Sequence, residues 1–262
     1  MIAIISDVHG NKEAFREVLK DIRSITPKVE RIYCLGDTIG YGPSPADCLD
    51  LAIRNCDVAI RGNHEEAVLN GAVDFNPRAA AAIKWTQEKL RESPSEIQKR
   101  NIRYLQELKD TAEPEEGILL VHGTPRQPTR EYLFPQEIAD KRKLQEIFAL
   151  IPKYCFVGHS HMPGIFTEAG EYIDPKDLIK GIYMLDDSKC IINVGSVGQP
   201  RDGDPRASYC TFNGDCVVFR RVNYDRQGTM FKIYFDSLPK SLGNRLEKGK
   251  CSWERGGVGE VS

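Results

Sequence analysis

Five short apolar runs in this chain each lead into a residue able to ligate a metal, and no other feature restricts the fold as tightly. IAIIS leads into Asp7, RIYCLG into Asp37, DVAIRG into Asn63, GILLV into His122 and YCFVG into His159. Runs of this length and character read as buried strands. Between and after them lie segments of helical periodicity: Lys12–Ile25 with Phe15, Val18, Leu19 and Ile22 on one face, then Pro45–Arg54, Arg78–Leu90, Glu96–Leu108 and Gln136–Ala149. Strands alternating with helices predict a largely parallel or mixed sheet with covering helices. In open α/β sheets ligands bind beyond the carboxyl ends of the strands. Residues spread from Asp7 to His161 should therefore converge on one edge.

After residue 163 the pattern changes to short strands separated by Gly and Asp turns: GIFTE, EYIDP, GIYML, KCIINVG, ASYCTF and CVVFRRV, with Asn213-Gly214 as a hairpin signal. The simplest expectation is that these form a second sheet on the same core. Residues 1–222 then make one domain and residues 223–262 an extension, with a short amphipathic helix over 229–239 and a polar, partly disordered tail over 246–262. No linker-like stretch or repeat divides the chain.

Only five histidines occur, and all sit in short motifs with glycine or charged residues: SDVHG (His9), RGNHE (His64), VHGT (His122) and GHSH (His159, His161). Asp7, Asp37 and Asn63 complete a set of imidazoles, carboxylates and one amide oxygen, enough for two divalent metals. In Asp7/His9 and in His159/His161 the spacing is i, i+2, which on extended backbone aims both side chains the same way. The donors include no thiolate, which suits Mn²⁺, Fe²⁺, Zn²⁺, Ni²⁺ or Co²⁺ without choosing among them. Two such ions against two aspartates leave about +2 of local charge. That draws in a phosphate although the chain's net charge is −2, a balance that gives no drive toward nucleic acid or membranes. The eight cysteines form no CxxC pair and read as reduced, structural residues. IAIIS is too short for a signal peptide and no run reaches the ~20 residues of a membrane span, so the expected location is cytoplasmic.

The ordered set DxH, GD, GNHE, H and GHxH resembles the calcineurin-like metallophosphoesterase superfamily over roughly residues 1–215. GDTIGYGPSP, HGTPR and INVGSVGQPRDGDPRASY are most similar to its small prokaryotic branch, often named after diadenosine tetraphosphatase. The resemblance implies two mixed β-sheets packed face to face and flanked by helices. It assigns Asp7, His9, Asp37 and His161 to one metal and Asp37, Asn63, His122 and His159 to the other, with Asp37 bridging. Only through this resemblance is Mn²⁺ the expected metal, since the superfamily often holds its ions loosely. His64 becomes the general acid. The implied activity is hydrolysis of a phosphomonoester, phosphodiester or dinucleoside polyphosphate by a hydroxide shared between two metals, with a small phosphorylated or nucleotide substrate as partner.

One motif departs from the family's serine/threonine phosphatases. Those carry GDxxDRG, whose Asp orients the catalytic His and whose Arg grips phosphate; here Gly40 and Tyr41 stand at those places. A phosphoprotein phosphatase is thereby disfavoured, and the complete ligand set argues against a non-catalytic scaffold. Asn11, Arg126 and Arg201 are the candidates for binding phosphate, the ordinary alternative for each arginine being a surface ion pair. The helical segment 78–108 reads either as a partial lid over the site or as packing.

Overall fold

The computed structural model describes residues 1–250. In chain order it contains β1 (Ile2–Ile5), α1 (Lys12–Ser24), β2 (Arg31–Cys34), α2 (Pro45–Asn55), β3 (Val58–Ala59), α3 (Asn63–Asn70), α4 (Pro77–Arg91), α5 (Ser95–Glu107), β4 (Thr111–Glu115), β5 (Ile118–Val121), α6 (Lys141–Ala149), β6 (Tyr154–Val157), β7 (Gly164–Thr167), β8 (Tyr172–Ile173), β9 (Ile182–Met184), β10 (Cys190–Asn193), β11 (Ala207–Phe212), β12 (Cys216–Val222), α7 (Arg226–Phe235) and α8 (Lys240–Lys248). The strands form two mixed six-stranded sheets, ordered β3-β2-β1-β11-β12-β9 and β4-β5-β6-β10-β7-β8.

Period-two side-chain alternation builds the layers. Ile2 and Ile4 of β1 face the second sheet and pack with Ile118, Leu120, Phe156 and Ile192. Ala3 and Ile5 face outward onto Phe15, Val18 and Ile22 of α1. On the other side Leu119, Val121, Cys155 and Val157 meet Leu144, Ile147 and Phe148 of α6. Strands covered on both faces must be apolar throughout, which is why the five runs do not alternate. The result is the face-to-face sandwich that the motifs imply.

The late strands do not form a sheet of their own. β9, β11 and β12 extend the sheet begun by β1–β3, while β7, β8 and β10 extend the one begun by β4–β6. The reason lies in pairing: β11 lies antiparallel to β1, and β10 parallel to β6, so each sheet is completed by the half of the chain that did not start it. β11 and β12 do form the Asn213-Gly214 hairpin.

Helices α4 and α5 are packing elements. Ile83, Leu90 and Leu105 share a core with Ile39, Leu49 and Val68. The segment 136–149 divides into a 3₁₀ turn (Pro135–Ala139) and α6, with Asp140 accepting from the Lys143 amide as its N-cap. Beyond residue 222, α7 falls over the expected amphipathic helix. The following helix, α8, runs into residues 246–248, where the polar tail is expected to begin; Leu242 and Leu246 are buried against Ala82, Ile233 and Tyr41. The rest of that tail, from residue 251, lies outside the described residues. The seven described cysteines are free. No described helix is long and apolar enough to cross a membrane.

Candidate metal centre

Strands β1, β2 and β3 are mutually parallel, as are β5 and β6, so their carboxyl ends reach the same edge of each sheet. The loops beyond them are tied together within each sheet, and His159 N donates to Asp7 Oδ2 (3.0 Å) from one sheet's loops to the other's. Asp7 N donates to Gly36 O (3.1 Å), His9 N to Asp37 O (2.8 Å), Gly158 N to His122 O (2.9 Å) and Gly198 N to Asp7 O (2.9 Å). All seven expected ligands and His64 meet here, and all but Asn63 are buried.

Five of the seven expected ligands sit on backbone of positive φ rather than on extended backbone. Asp7, His9, Asp37, His159 and His161 have φ between +49° and +63°, the left-handed region that costs a non-glycine residue about 1–2 kcal/mol. Their side chains converge because the chain turns sharply after each strand, not because of strand periodicity. Five strained residues in one cluster mark a place where geometry is held against local preference.

Two groups of donors result. Asp7 Oδ1, His9 Nε2 and His161 Nε2 form the first, with separations of 3.0 to 3.5 Å. In the second, His122 Nε2 stands 3.1 Å from Asn63 Oδ1 and 3.0 Å from His159 Nδ1. Asp37 Oδ2 lies between the groups, 3.6 Å from His9 Nε2 and 3.3 Å from His122 Nε2. Its other oxygen, Oδ1, accepts from the His64 amide at 2.9 Å, at the positive N-terminus of α3. Gly62 permits that approach, since a Cβ there would stand 2.1 Å from Asp37 Oδ1.

The tautomers follow from the outer ring nitrogens. His9 Nδ1 faces Ile39 O (3.3 Å), His122 Nδ1 faces Leu35 O (2.9 Å), His161 Nδ1 faces Gln199 O (2.5 Å) and His159 Nε2 faces Arg130 O (3.2 Å). A carbonyl only accepts, so each of these nitrogens carries the proton. A neutral ring then turns its other nitrogen inward as a bare lone pair. Lone pairs 3.0 Å apart repel unless a cation or a proton lies between them. This arrangement of imidazoles, carboxylates and one amide oxygen, with the outer nitrogens anchored by carbonyls, fits divalent metals. Three His/Asp groups are close enough to share an ion: Asp7–His9–His161, His9–Asp37–His64 and Asp37–His122–His159.

The charges compete in the metal-free protein. Burial raises Asp7, but His161, His9 and His122 overturn that and hold it well below the carboxylate range. Asp37 behaves alike: burial is outweighed by His122, His64 and His9, and its carboxyl is lowered. Burial also works against a charge on His122, yet Asp37 beside it pulls it up to about 10. Burial lowers His161 to about 4, with Arg201 adding to the effect, and lowers His159 well below its usual value.

His64 lies in a box of rings. Centroids stand 4.3 Å away for Tyr41, 4.7 Å for His9 and 5.3 Å for Phe75. Its Nε2 is 3.9 Å from Asp37 Oδ2, and its buried Nδ1 has no hydrogen-bond partner among the described residues. The place of the family's Asp is taken by Gly40, packed so closely that a Cβ would fall 2.0 Å from His64 Nδ1. Burial pushes the imidazole down to about 3.

Two of the three residues expected to contact phosphate are engaged by other partners in the structure. Asn11 is the N-cap of α1: Oδ1 accepts from Ala14 N (3.1 Å) and Thr229 Oγ1 (3.1 Å), and Nδ2 donates to Gly198 O (2.8 Å). Three of the amide's four hydrogen-bonding positions are thus used in holding the loop. The Arg126 guanidinium donates to Glu131 and Glu146, so phosphate would have to displace two carboxylates. Arg201 does stand beside the cluster; its amide donates to His161 O (3.3 Å), and its charge bears on both His161 and Tyr132.

Glu65 was not among the expected site residues. Its buried carboxylate accepts from four amides, Asp37 (2.7 Å), Gly62 (2.9 Å), Thr38 (2.8 Å) and Ile39 (3.3 Å). It thereby fastens the Asp37 loop to the start of α3. Burial and the Asp37 charge push it up to about 7 while the amide donors pull the other way. The sequence signal was a Glu three residues after the Gly62 N-cap, the spacing of a capping box.

A cavity of ≈ 540 Å³ opens beside the second donor group, reached from Asn63, His159 and Tyr41 and walled by residues 66–75 and 130–143. The loop after α3, rather than α4 and α5, forms its outer side.

Residues 1–215 match the family model of a calcineurin-like phosphoesterase superfamily domain. An uncharacterized protein of Methanocaldococcus jannaschii is 38% identical over 261 residues, covering 95% of this chain and 98% of its own. Serine/threonine-protein phosphatase 2 of Escherichia coli is 26% identical over 194 residues, covering 66% of this chain and 86% of its own. Among solved structures, a metallophosphoesterase from Sphaerobacter thermophilus superposes with a TM-score of 0.79 at 35% identity, over 95% of this chain and 98% of that one.

Proposed function

Because the chain belongs to the calcineurin-like phosphoesterase superfamily, we propose that it hydrolyses phosphate esters at a centre of two divalent cations, preferentially Mn²⁺. The observation that carries this reading is the pair of converging lone-pair groups with the Asp37 carboxylate between them. Asp7, His9, Asp37 and His161 would hold one ion, and Asp37, Asn63, His122 and His159 the other. When bound, the ions supply Lewis acidity toward the phosphoryl oxygens and lower the pKa of water.

The chain's own residues do the rest. Backbone carbonyls keep the imidazoles in the ligating tautomer, and Glu65 holds Asp37 in place. Arg201 is the cation best placed to meet the phosphoryl group from the His161 side. His64 is neutral at neutral pH and presents an N–H to the leaving oxygen. With no carboxylate at Nδ1 to orient it and stabilise its charged form, its advantage should fall at the low end of the about 10²–10⁴ of a positioned acid.

A phosphoprotein phosphatase, the activity that the E. coli relative's name carries, is less well supported. Tyr41 offers no guanidinium, and Gly40 leaves no room for an orienting Asp.

The test is hydrolysis of p-nitrophenyl phosphate and its bis-ester by chelator-stripped protein titrated with Mn²⁺. Inactivity on both and on diadenosine polyphosphates would sink the proposal. Asp37→Asn should lower metal stoichiometry below two; a value unchanged at two would refute the bridging role. His64→Ala should keep both ions and lose rate, most for poor leaving groups.

A further inference from the structure

The cavity beside the second donor group has a lining that a bare phosphate does not need. His159, Tyr132 and Phe134 make a tier of near-parallel rings: Tyr132 lies 3.7 Å from His159 at 18°, and Phe134 lies 5.1 Å from Tyr132 at 8°. Phe75 and Tyr41, both packed on His64, line it too. Its size, ≈ 540 Å³, is within the range of small-molecule pockets. Flat aromatic walls stack any base through its π-face.

The charges in the lining are as informative as the rings. Four carboxylates, Glu66, Asp74, Glu131 and Glu137, face two cations, Arg130 and Lys143. Both cations are engaged: Arg130 donates to Glu66 at 2.7 Å and to Asp74 at 3.5 Å, and Lys143 pairs with Glu137 and donates to Tyr132 O at 2.9 Å. Neither is available for a second phosphate, and the fourth carboxylate, Glu131, is held by Arg126 from outside the lining, so the lining offers a phosphate chain no unengaged cation. Carboxylates and the Gln136 side chain can instead accept from the exocyclic amine of a base.

We infer that the cavity is a subsite for an amine-bearing nucleobase, so that the enzyme acts on nucleotides with a single phosphoryl group and discriminates against polyphosphate chains. The inference rests on the phosphoesterase reading for the chemistry, while base binding is independent of it.

Two measurements separate the claims. The full-length Mn²⁺-loaded protein is assayed on AMP, glycerol 3-phosphate and diadenosine tetraphosphate; the first two leave comparable alkoxides and differ in the base. AMP should exceed glycerol 3-phosphate by tenfold or more in kcat/KM, mainly through KM, and diadenosine tetraphosphate should be poorer than AMP. Phe134→Ala should raise KM for AMP five- to tenfold and leave glycerol 3-phosphate unchanged. In parallel, adenosine is titrated calorimetrically into chelator-stripped wild type and Phe134→Ala, with at least fivefold weaker binding expected for the variant. Equal kcat/KM for AMP and glycerol 3-phosphate, or adenosine binding that ignores Phe134, overturns the subsite while hydrolysis stands. Preference for the tetraphosphate overturns the single-phosphoryl claim. Adenosine binding without hydrolysis of any ester overturns the phosphoesterase reading instead.

Discussion

Gly40→Ala tests the geometry around His64 most directly. Two costs add at this position. The backbone has φ +85°, where a Cβ costs about 1–2 kcal/mol. The new methyl would also stand 2.0 Å from His64 Nδ1 and 2.9 Å from Cγ, an overpacking of the kind that costs about 1–3 kcal/mol. His64 is 2% exposed and walled by Tyr41, Phe75 and His9, so its ring has no outward route and must shift within the site. Together these give about 2–5 kcal/mol, and at about 2–4 °C per kcal/mol for a domain of this size Tm falls by roughly 5–20 °C. Displacing the imidazole should also cost about 10²-fold or more in kcat, with metal stoichiometry kept.

Gly170→Ala supplies the control. Its φ is +86° and nothing lies within 4 Å of the added Cβ, so it carries the conformational cost without the clash and should leave the rate untouched. Differential scanning calorimetry and initial rates on p-nitrophenyl phosphate read both effects. If Gly40→Ala matched Gly170→Ala in Tm and kept the wild-type rate, His64 would not be packed against Gly40 and the argument would fail. Gly40→Asp should fare no better than the alanine, because the contact begins at Cβ.

Glu65→Gln removes one of the two oxygens that receive four amide donors. Stranding two of those donors should cost about 2–6 kcal/mol and weaken metal affinity about 10–100-fold; Mn²⁺ affinity equal to wild type would show that Glu65 does not position Asp37. The metal-free protein should lose Tm as pH falls from 6.5 to 4. His64, His159 and His161 are depressed in the folded state, so the unfolded chain binds more protons there and acid favours it; Glu65, raised to about 7, has the opposite sign in this window but is one group against three. His122 has the opposite sign: raised to about 10, it contributes stability that is complete below about 6.5 and is lost as pH rises through 10. A flat Tm between pH 4 and 6.5 would contradict the buried neutral imidazoles.

How much of this was legible in the sequence depends on which physical signal each feature leaves. Strands covered on both faces must be continuously apolar, and a site beyond their ends must begin where the apolar run stops, so Asp7, Asp37, Asn63, His122 and His159 were readable one after another. Sheet membership was not, because the partners of β10 and β11 are chosen by pairing at long range, as when Ile4 meets Cys210. Spacing likewise misled about direction. The i, i+2 rule assumes extended backbone, and Asp7, His9, His159 and His161 instead stand in the left-handed region. Helix α3 was missed because it is eight residues long and starts on Gly62 without a side-chain cap. Asn11 carries two signals, since an amide near a metal motif suits phosphate while Asn before Lys-Glu-Ala-Phe is an N-cap signal, and the structure forms the cap. The cavity wall left no trace at all, since Phe75, Tyr132 and Phe134 lie on loops without periodicity. On the proposed reading, residues fixed by strand ends define the reaction centre, while residues on irregular loops would decide what the centre acts upon. That division explains why the motif set reaches the chemistry and stops at Gly40 and Tyr41: there the family's Asp-Arg pair is replaced by a close backbone contact and an aromatic ring, both visible only once α3 has been packed against the loop.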